Sequence, residues 1–380
     1  MPASTYTTPG DVIPISVNRE AAGQATTVAA DPIEALERIA YLLDRAREPA
    51  YRVRAYLRAA EVLRALPPEE VAERARSGRL TELRDIGPKT AAIAAEAIEG
   101  PVAYLAELEG RTGVAVGEGA ELLAALRGDC HTHSNWSDGG AEIPTMARAA
   151  RALGHEYLVL TDHSPRLKVA NGLGPDRLRA QLDVVSQLND ELAAEAAADA
   201  EMAPFRVLTG IEVDILDDGA LDQEDELLGR LDLVVASVHS KLRMDRAAMT
   251  RRMAVAVSNP HVDVLGHCTG RQVLGHGRGG RGRPESEFDP EVVFTACAQF
   301  GVAVEVNSRP ERLDPPRRLL TEAIEAGCRL AIDTDAHAPG QLEWQPYGAD
   351  RAAACGADAD RVLNTLGADD LLAWTASHAG

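Results

Sequence analysis

From Asp31 onward the apolar positions recur at helical spacing: Ile33, Leu36, Ile39, Ala40, Leu42 and Leu43 share one face, with Asp31 placed as a cap and Pro32 in the first turn. The spacing predicts a helix there, a second over residues 51–66 stopped by Pro67-Pro68, and a third opening at Pro68-Glu69-Glu70. The following LTELRDIGPKTAAIAAEAIEG reads as two short helical stretches joined by Ile86-Gly87-Pro88-Lys89. Residues 31–113 are therefore predicted to be all-helical. Residues 1–30 carry no such pattern and are expected to form a disordered tail.

Past a glycine-rich join, expected as a linker over 114–127, the period changes. Short aliphatic or β-branched runs alternate with helical stretches: around 129–133, then YLVLTDH (157–163), RVLTGIEVDI (206–215), DLVVASVH (232–239), VDVLGH (262–267), VAVEVN (302–307) and RLAIDTDAH (329–337). Near-continuous apolar runs mean strands buried on both faces, hence a parallel sheet with helical crossovers. Seven strand–helix units suit a closed α/β barrel over residues 128–380 better than an open doubly wound sheet. No G-x-G-x-x-G or Walker motif follows any strand, which weakens nucleotide-cofactor folds.

Composition adds constraints. A chain of 380 residues, 45% hydrophobic, fits two domains. Lys+Arg total 39 against 59 Asp+Glu, and a net charge of -20 argues against coating a polyanion by bulk electrostatics, so any such partner must meet a local positive site. Five scattered cysteines without a C-x-x-C pair suggest neither a disulfide framework nor a thiolate zinc site, and fit a reducing cytoplasm. No apolar run approaches the ~20 residues that span a bilayer, so no membrane association is expected.

The chemistry lies where polar residues interrupt the strand ends. His131, His133, His163, Glu212, His239, His267, Asp335 and His337 occupy those positions, and Asp138 follows in the loop HTHSNWSDGG. In a β/α barrel the strand C-termini converge on one face, so residues far apart in sequence become one cluster. His155, His261, His276 and His378 have no such placement. Imidazole and carboxylate without thiolate favour Zn, Mn or Fe, and nine donors imply two or three divalent ions. Such a cluster lowers the pKa of water and neutralises phosphoryl oxygens, so phosphoester hydrolysis uses it best, with amide hydrolysis chemically possible. After His267, the loop GRQVLGHGRGGRGR carries Arg271, Arg278, Arg281 and Arg283 without an acidic residue; Arg271, with Lys241 and Arg312 as weaker candidates, is expected to bind substrate phosphate.

DCHTHSNWSDG, LTDHS, GIEVDI, SVHS, GHCTGR and IDTDAH, in that order, resemble the motif series of the PHP (polymerase and histidinol phosphatase) superfamily of trinuclear metallophosphoesterases. The resemblance implies a distorted seven-stranded β/α barrel. It places His131, His133, Glu212 and Asp335 on one metal, has Glu212 bridge to a second held by His239 and His267, and puts Asp138, His163 and His337 on the third. It makes His131, His133, Glu212, His239, Asp335 and His337 the expected catalytic set. LRDIGPKTAAIAAEAIEG resembles a helix-hairpin-helix, which implies that Ile86, Gly87, Pro88, Lys89 and Thr90 bind a DNA backbone phosphate. The helices before it, with Arg52, Arg54, Arg58 and Arg64 on the second, resemble the N-terminal domain of bacterial family X DNA polymerases. Fewer than 30 residues separate the hairpin from Asp129, too few for a polymerase palm, so no nucleotidyl transfer is expected.

Three functions follow in order of expectation. The first is a metal-dependent phosphoesterase acting on DNA as a 3'-5' exonuclease, 3'-phosphatase or abasic-site endonuclease. The second is a small-molecule phosphatase of histidinol-phosphate type, and the third a non-catalytic DNA-repair binding module. A broken ligand set would favour the third, and none of the nine positions is broken.

Overall fold

The computed structural model describes residues 31–274 and 282–378, the side chain of His378 excepted; the expected tail over 1–30, His276, Arg278 and Arg281 lie outside the described residues. The chain divides near residue 115 into two compact units.

In the first unit, α1 (Pro32–Arg45) starts where Asp31 Oδ1 accepts from the Ile33 N–H at 2.7 Å. Its buried Leu36, Ile39 and Leu43 share a core with Tyr56, Ala60 and Leu63 of α2 (Ala50–Arg64), and α3 (Pro68–Arg76), α4 (Pro88–Glu99) and α5 (Ala103–Thr112) complete it. One expectation fails here. The stretch before Ile86 is no helix but a three-residue 3-10 turn, Leu80–Glu82. Leu83 is extended and Asp85 sits at φ 64, a left-handed conformation that an α-helix cannot continue through.

The second unit begins with α6 (Ala120–Ala125), a short helix inside the stretch expected as linker, whose Leu122 joins the core. Seven parallel strands follow in sequential order: β1 (Gly128–Thr132), β2 (Tyr157–Leu160), β3 (Arg206–Asp214), β4 (Leu233–Ser237), β5 (Val264–Leu265), β6 (Ala303–Asn307) and β7 (Leu330–Asp333). Helices α7 (Ile143–Ala152), α8 (Pro175–Ala198), α9 (Asp225–Leu228), α10 (Arg246–Val257), α11 (Pro290–Phe300) and α12 (Arg317–Glu325) connect them, and α13 (Gln345–Ala354) and α14 (Ala368–His378) follow. β7 returns to β1 through the Thr132–Ala336 bridge and the His133 N–H donating to Ala336 O at 2.8 Å, so the barrel is nearly closed.

Alternation along the strands sorts the side chains. Val159, Leu208, Leu233, Val235, Val264, Ala303 and Ala331 form one cluster inside the barrel, with Leu363 and Leu371. Ile211, Val213, Val234, Ala236, Val304, Val306 and Ile332 face outward onto Met249, Met253, Phe294 and Leu320. By the same parity Glu212 and Asp214 on β3, and Glu305 and Asn307 on β6, continue the inner set. Cys130 is also in the inner cluster, so strict alternation would turn His131 outward; the register shift between Asp129 and Thr132 returns it to the inside. Among the described residues no helix is long and apolar enough to cross a membrane.

Candidate metal centre

At the strand C-termini Glu212 stands at the centre of five imidazoles. Its Oε2 lies 3.3 Å from His131 Nε2, 3.6 Å from His133 Nε2 and 2.8 Å from His163 Nδ1; its Oε1 lies 3.2 Å from His239 Nε2 and 2.8 Å from His267 Nε2. Asp335 Oδ1 is 3.5 Å from His133 Nε2, and Asp138 Oδ1 is 3.5 Å from His163 Nε2 and 3.3 Å from His337 Nε2. The eight residues expected at the strand ends and Asp138 from the loop after β1 are therefore in one bowl. Three overlapping groups have ligand atoms close enough to share an ion: His133, Asp138, His163 and His337; His131, His133 and Asp335; His163, Glu212 and His239.

Two donors each about 2.1 Å from a tetrahedral ion sit about 3.4 Å apart, and the separations here run from 2.8 to 3.6 Å. The hydrogen-bond inventory agrees. His131 Nε2, both ring nitrogens of His133 and His267, His163 Nδ1, His239 Nε2 and both Glu212 oxygens are buried without a hydrogen-bond partner. Orphaned acceptors at that density are costly unless a cation satisfies them. The donor set thus fits divalent metal.

The buried groups balance one another's charge: burial would lower the rings of His131 and His239, but Glu212 and Glu305 hold the first well above the usual imidazole range, and Glu212 and Asp214 hold the second up at about 9. Burial by itself would raise the Glu212 carboxyl, but the facing rings of His239, His131 and His163 hold it well below the usual carboxylate range. Burial likewise opposes ionisation of Asp335, which Arg312 and Arg309 nevertheless hold well below its ordinary value. For His133, burial and then the neighbouring His337 and His163 push the ring well below the usual imidazole range, leaving it neutral as a ligand must be.

Several residues that shape the bowl were not singled out from the sequence. His131 Nδ1 lies 2.6 Å from Glu305 Oε1, and His239 Nδ1 lies 2.5 Å from Asp214 Oδ1; each contact fixes a ring so that Nε2 faces Glu212. Asn307 Nδ2 donates to Glu305 Oε2 at 3.2 Å and to Asp335 Oδ2 at 3.3 Å. Asp162 accepts from Ser134 N at 2.8 Å, Ser134 Oγ at 2.6 Å and Gln181 Nε2 at 2.6 Å, pinning the loop that carries His133 and Asp138. A signal was present: Glu305 and Asp214 are acidic residues inside otherwise apolar strand runs, two positions from another polar residue and hence on its face.

The three expected phosphate contacts have different surroundings. Arg271 is buried, with Nε donating to Arg312 O at 3.1 Å, Nη2 to Leu313 O, and Nη1 3.6 Å from Glu285. Its backbone is tied to Asp314, which leads the side chain under the next loop, where it acts as a strut. Lys241 is exposed and pairs with Asp217 at 2.5 Å. Arg312 differs: its Nε lies 3.0 Å from Asp335 Oδ2, and its buried Nη1 has no hydrogen-bond partner.

In the helical unit, the Gly87 N–H donates to Thr90 Oγ1 at 3.0 Å, capping α4 between the buried Ile86 and the exposed Pro88. A side chain at Gly87 would meet nothing within 4 Å, so the turn is open to approach. Lys89 Nζ rests 3.8 Å over the Tyr104 ring. On α2, Arg52 pairs with Glu48 and Arg64 with Glu37 at 2.6 Å, whereas Arg54 and Arg58 are exposed.

Residues 129–271 match the PHP domain and residues 29–100 the helix-hairpin-helix domain. The chain is 37% identical over 252 residues to the DNA polymerase/3'-5' exonuclease PolX of Bacillus subtilis (strain 168), covering 66% of this chain but only 41% of that protein. It is 28% identical over 221 residues to a "Probable phosphatase" of Thermoanaerobacter sp. (strain X514), covering 55% of this chain and 78% of the relative. Histidinol phosphate phosphatase from Lactococcus lactis, in a structure complexed with zinc, L-histidinol and phosphate, superposes with a TM-score of 0.41 at 17% identity, over 61% of this chain and 94% of that one.

Proposed function

We propose, from the premise that the chain carries a PHP domain behind a helix-hairpin-helix domain, that it is a metal-dependent phosphoesterase that acts on DNA, trimming or opening strands at ends or damaged sites. The observation that carries the hydrolytic part is the buried Glu212 ringed by five imidazoles whose ligating atoms have no other partner. In this reading His131, His133, Glu212 and Asp335 would hold one ion, Glu212 with His239 and His267 would hold a second, and Asp138, His163 and His337 would hold a third. When bound, such ions supply positive charge that activates water and neutralises phosphoryl oxygens.

This chain's residues do the rest. Glu305 and Asp214 fix the rings of His131 and His239, so the bowl is preorganised. Arg312 aims an unpartnered Nη1 beside Asp335 and takes the role of phosphate grip in place of Arg271. The open Gly87 turn with Pro88, Lys89 and Thr90, together with exposed Arg54 and Arg58, supports a backbone-phosphate contact that reads no sequence. Nucleotidyl transfer is no part of this reading.

The test incubates purified protein and Mn or Zn with a 3'-labelled oligonucleotide, and in parallel with histidinol phosphate and an aryl phosphate. Nucleotide release abolished by His131→Ala or Glu212→Ala supports the DNA reading. Turnover of histidinol phosphate alone sinks it in favour of a small-molecule phosphatase, the reading that the similarity to a "Probable phosphatase" favours. Deleting residues 1–113 is expected to spare aryl phosphate hydrolysis and weaken DNA processing.

A further inference from the structure

We propose, resting on the metal reading of the bowl, that Arg309 is a positioning residue: by holding the backbone carbonyl of Asp335 it places both the carboxylate of Asp335 and the acceptor that sets the tautomer of His337. The starting point is an outlier. Asp335 has φ 54, a left-handed conformation that a non-glycine residue keeps where its surroundings impose it. The surroundings do. Arg309 Nη1 donates to Asp335 O at 2.6 Å, Arg312 Nε lies 3.0 Å from Oδ2, and Asn307 Nδ2 donates to Oδ2 at 3.3 Å. With Oδ2 so engaged, Oδ1 faces His133 Nε2 at 3.5 Å, with His337 Nδ1 at 3.5 Å and Arg309 Nη1 at 3.7 Å beside it.

The same carbonyl decides the chemistry of His337. Its Nδ1 lies 2.9 Å from Asp335 O and 3.1 Å from Arg309 Nη1. A guanidinium nitrogen only donates. If His337 Nδ1 accepted from Arg309, the ring proton would sit on Nε2, which could then ligate nothing. If Nδ1–H donates to the carbonyl, Nε2 keeps its lone pair, and it is Nε2 that stands 3.3 Å from Asp138 Oδ1. The carbonyl has two lone pairs and takes both donors, with Arg309 making the shorter contact.

Arg309 is itself held in place: its guanidinium lies 5.4 Å from the ring of the buried Trp344, and Nε is 3.6 Å from Glu311 Oε2. It therefore braces the ligands on the His133–Asp335 and Asp138–His337 sides of the bowl, while His239 and His267 hang from other loops. Its side chain is only 19% exposed, so circular dichroism accompanies each exchange there to confirm folding.

Full-length wild type, Arg309→Gln and Arg309→Lys are stripped with chelator and titrated with Mn or Zn; bound ions are counted by mass spectrometry and affinities measured by competition with a chromophoric chelator. The expected result for Arg309→Gln is one class of ion bound tenfold or more weakly, another class unchanged, and kcat on aryl phosphate lowered more than KM. Lysine, which can still donate to the carbonyl, restores part of the loss. A wild-type-like isotherm in Arg309→Gln, or equal weakening of every ion, overturns this proposal alone. A wild-type chain that takes up no ion overturns the metal reading and this proposal with it.

Discussion

Exchanging Glu305 for glutamine keeps the side chain's shape and changes only what its end can accept. Glu305 accepts on both oxygens: Oε1 faces His131 Nδ1 at 2.6 Å, and Oε2 takes the His267 N–H and Asn307 Nδ2 at 3.2 Å. A glutamine has one oxygen, so its amide N–H must oppose a donor on one side or the other. One buried donor then goes unsatisfied, at about 1–3 kcal/mol. For a barrel of this size that lowers Tm by roughly 2–4 °C per kcal/mol. The larger effect is on metal. Removing the acceptor behind a ligating imidazole typically weakens affinity 10- to 100-fold, about 1.4–2.8 kcal/mol. Competition against a chromophoric chelator reads it directly, with circular dichroism to confirm folding. An affinity within twofold of wild type would refute the idea that Glu305 prepares His131 for metal, and would make the contact a packing feature.

Three further outcomes are expected. Adding Mn or Zn to chelator-treated protein raises Tm, by about 2.7 kcal/mol of stabilisation at 100 times Kd, because the orphaned bowl gains its partner; differential scanning fluorimetry without a shift contradicts the donor-set argument. Gly128→Ala places a Cβ 2.3 Å from the buried Tyr157 ring, an overpacking of about 1–3 kcal/mol that a denaturant melt detects as a lower midpoint. In the helical unit, burial pushes the Asp44 carboxyl up to about 7. A raised carboxyl binds its proton more tightly folded than unfolded, so its contribution is full below about pH 4 and lost as pH rises to about 7. Urea melts of residues 31–115 should show that decline, and Asp44→Asn should flatten it; equal slopes refute the assignment.

Much of this was legible in the sequence. Seven apolar runs, six of them with a His, Asp or Glu at or near the end, announced a parallel barrel with its donors on one rim, because strand burial and strand-end convergence are both sequence-periodic. The capped helix at Asp31 and the proline stops were local and equally readable. The path of Arg271 was not legible for a definite reason: proximity in sequence to His267 says nothing about which way a long side chain leaves a backbone tied to Asp314. The helical reading of the stretch before Ile86 failed because apolar spacing cannot register the left-handed Asp85 that ends it.

By itself the sequence determined which residue types stand at each strand end, and hence that the chain can gather oxygen and imidazole donors. Only the tertiary structure decided how they meet. The β1 register shift turns His131 inward, the parity of β3 and β6 places Asp214 and Glu305 behind the imidazoles, and the left-handed Asp335 presents one carbonyl to Arg309 and His337 together. Ligand identity is a property of residues. Ligand orientation depends on contacts between strands and loops up to about two hundred residues apart, which no local pattern encodes.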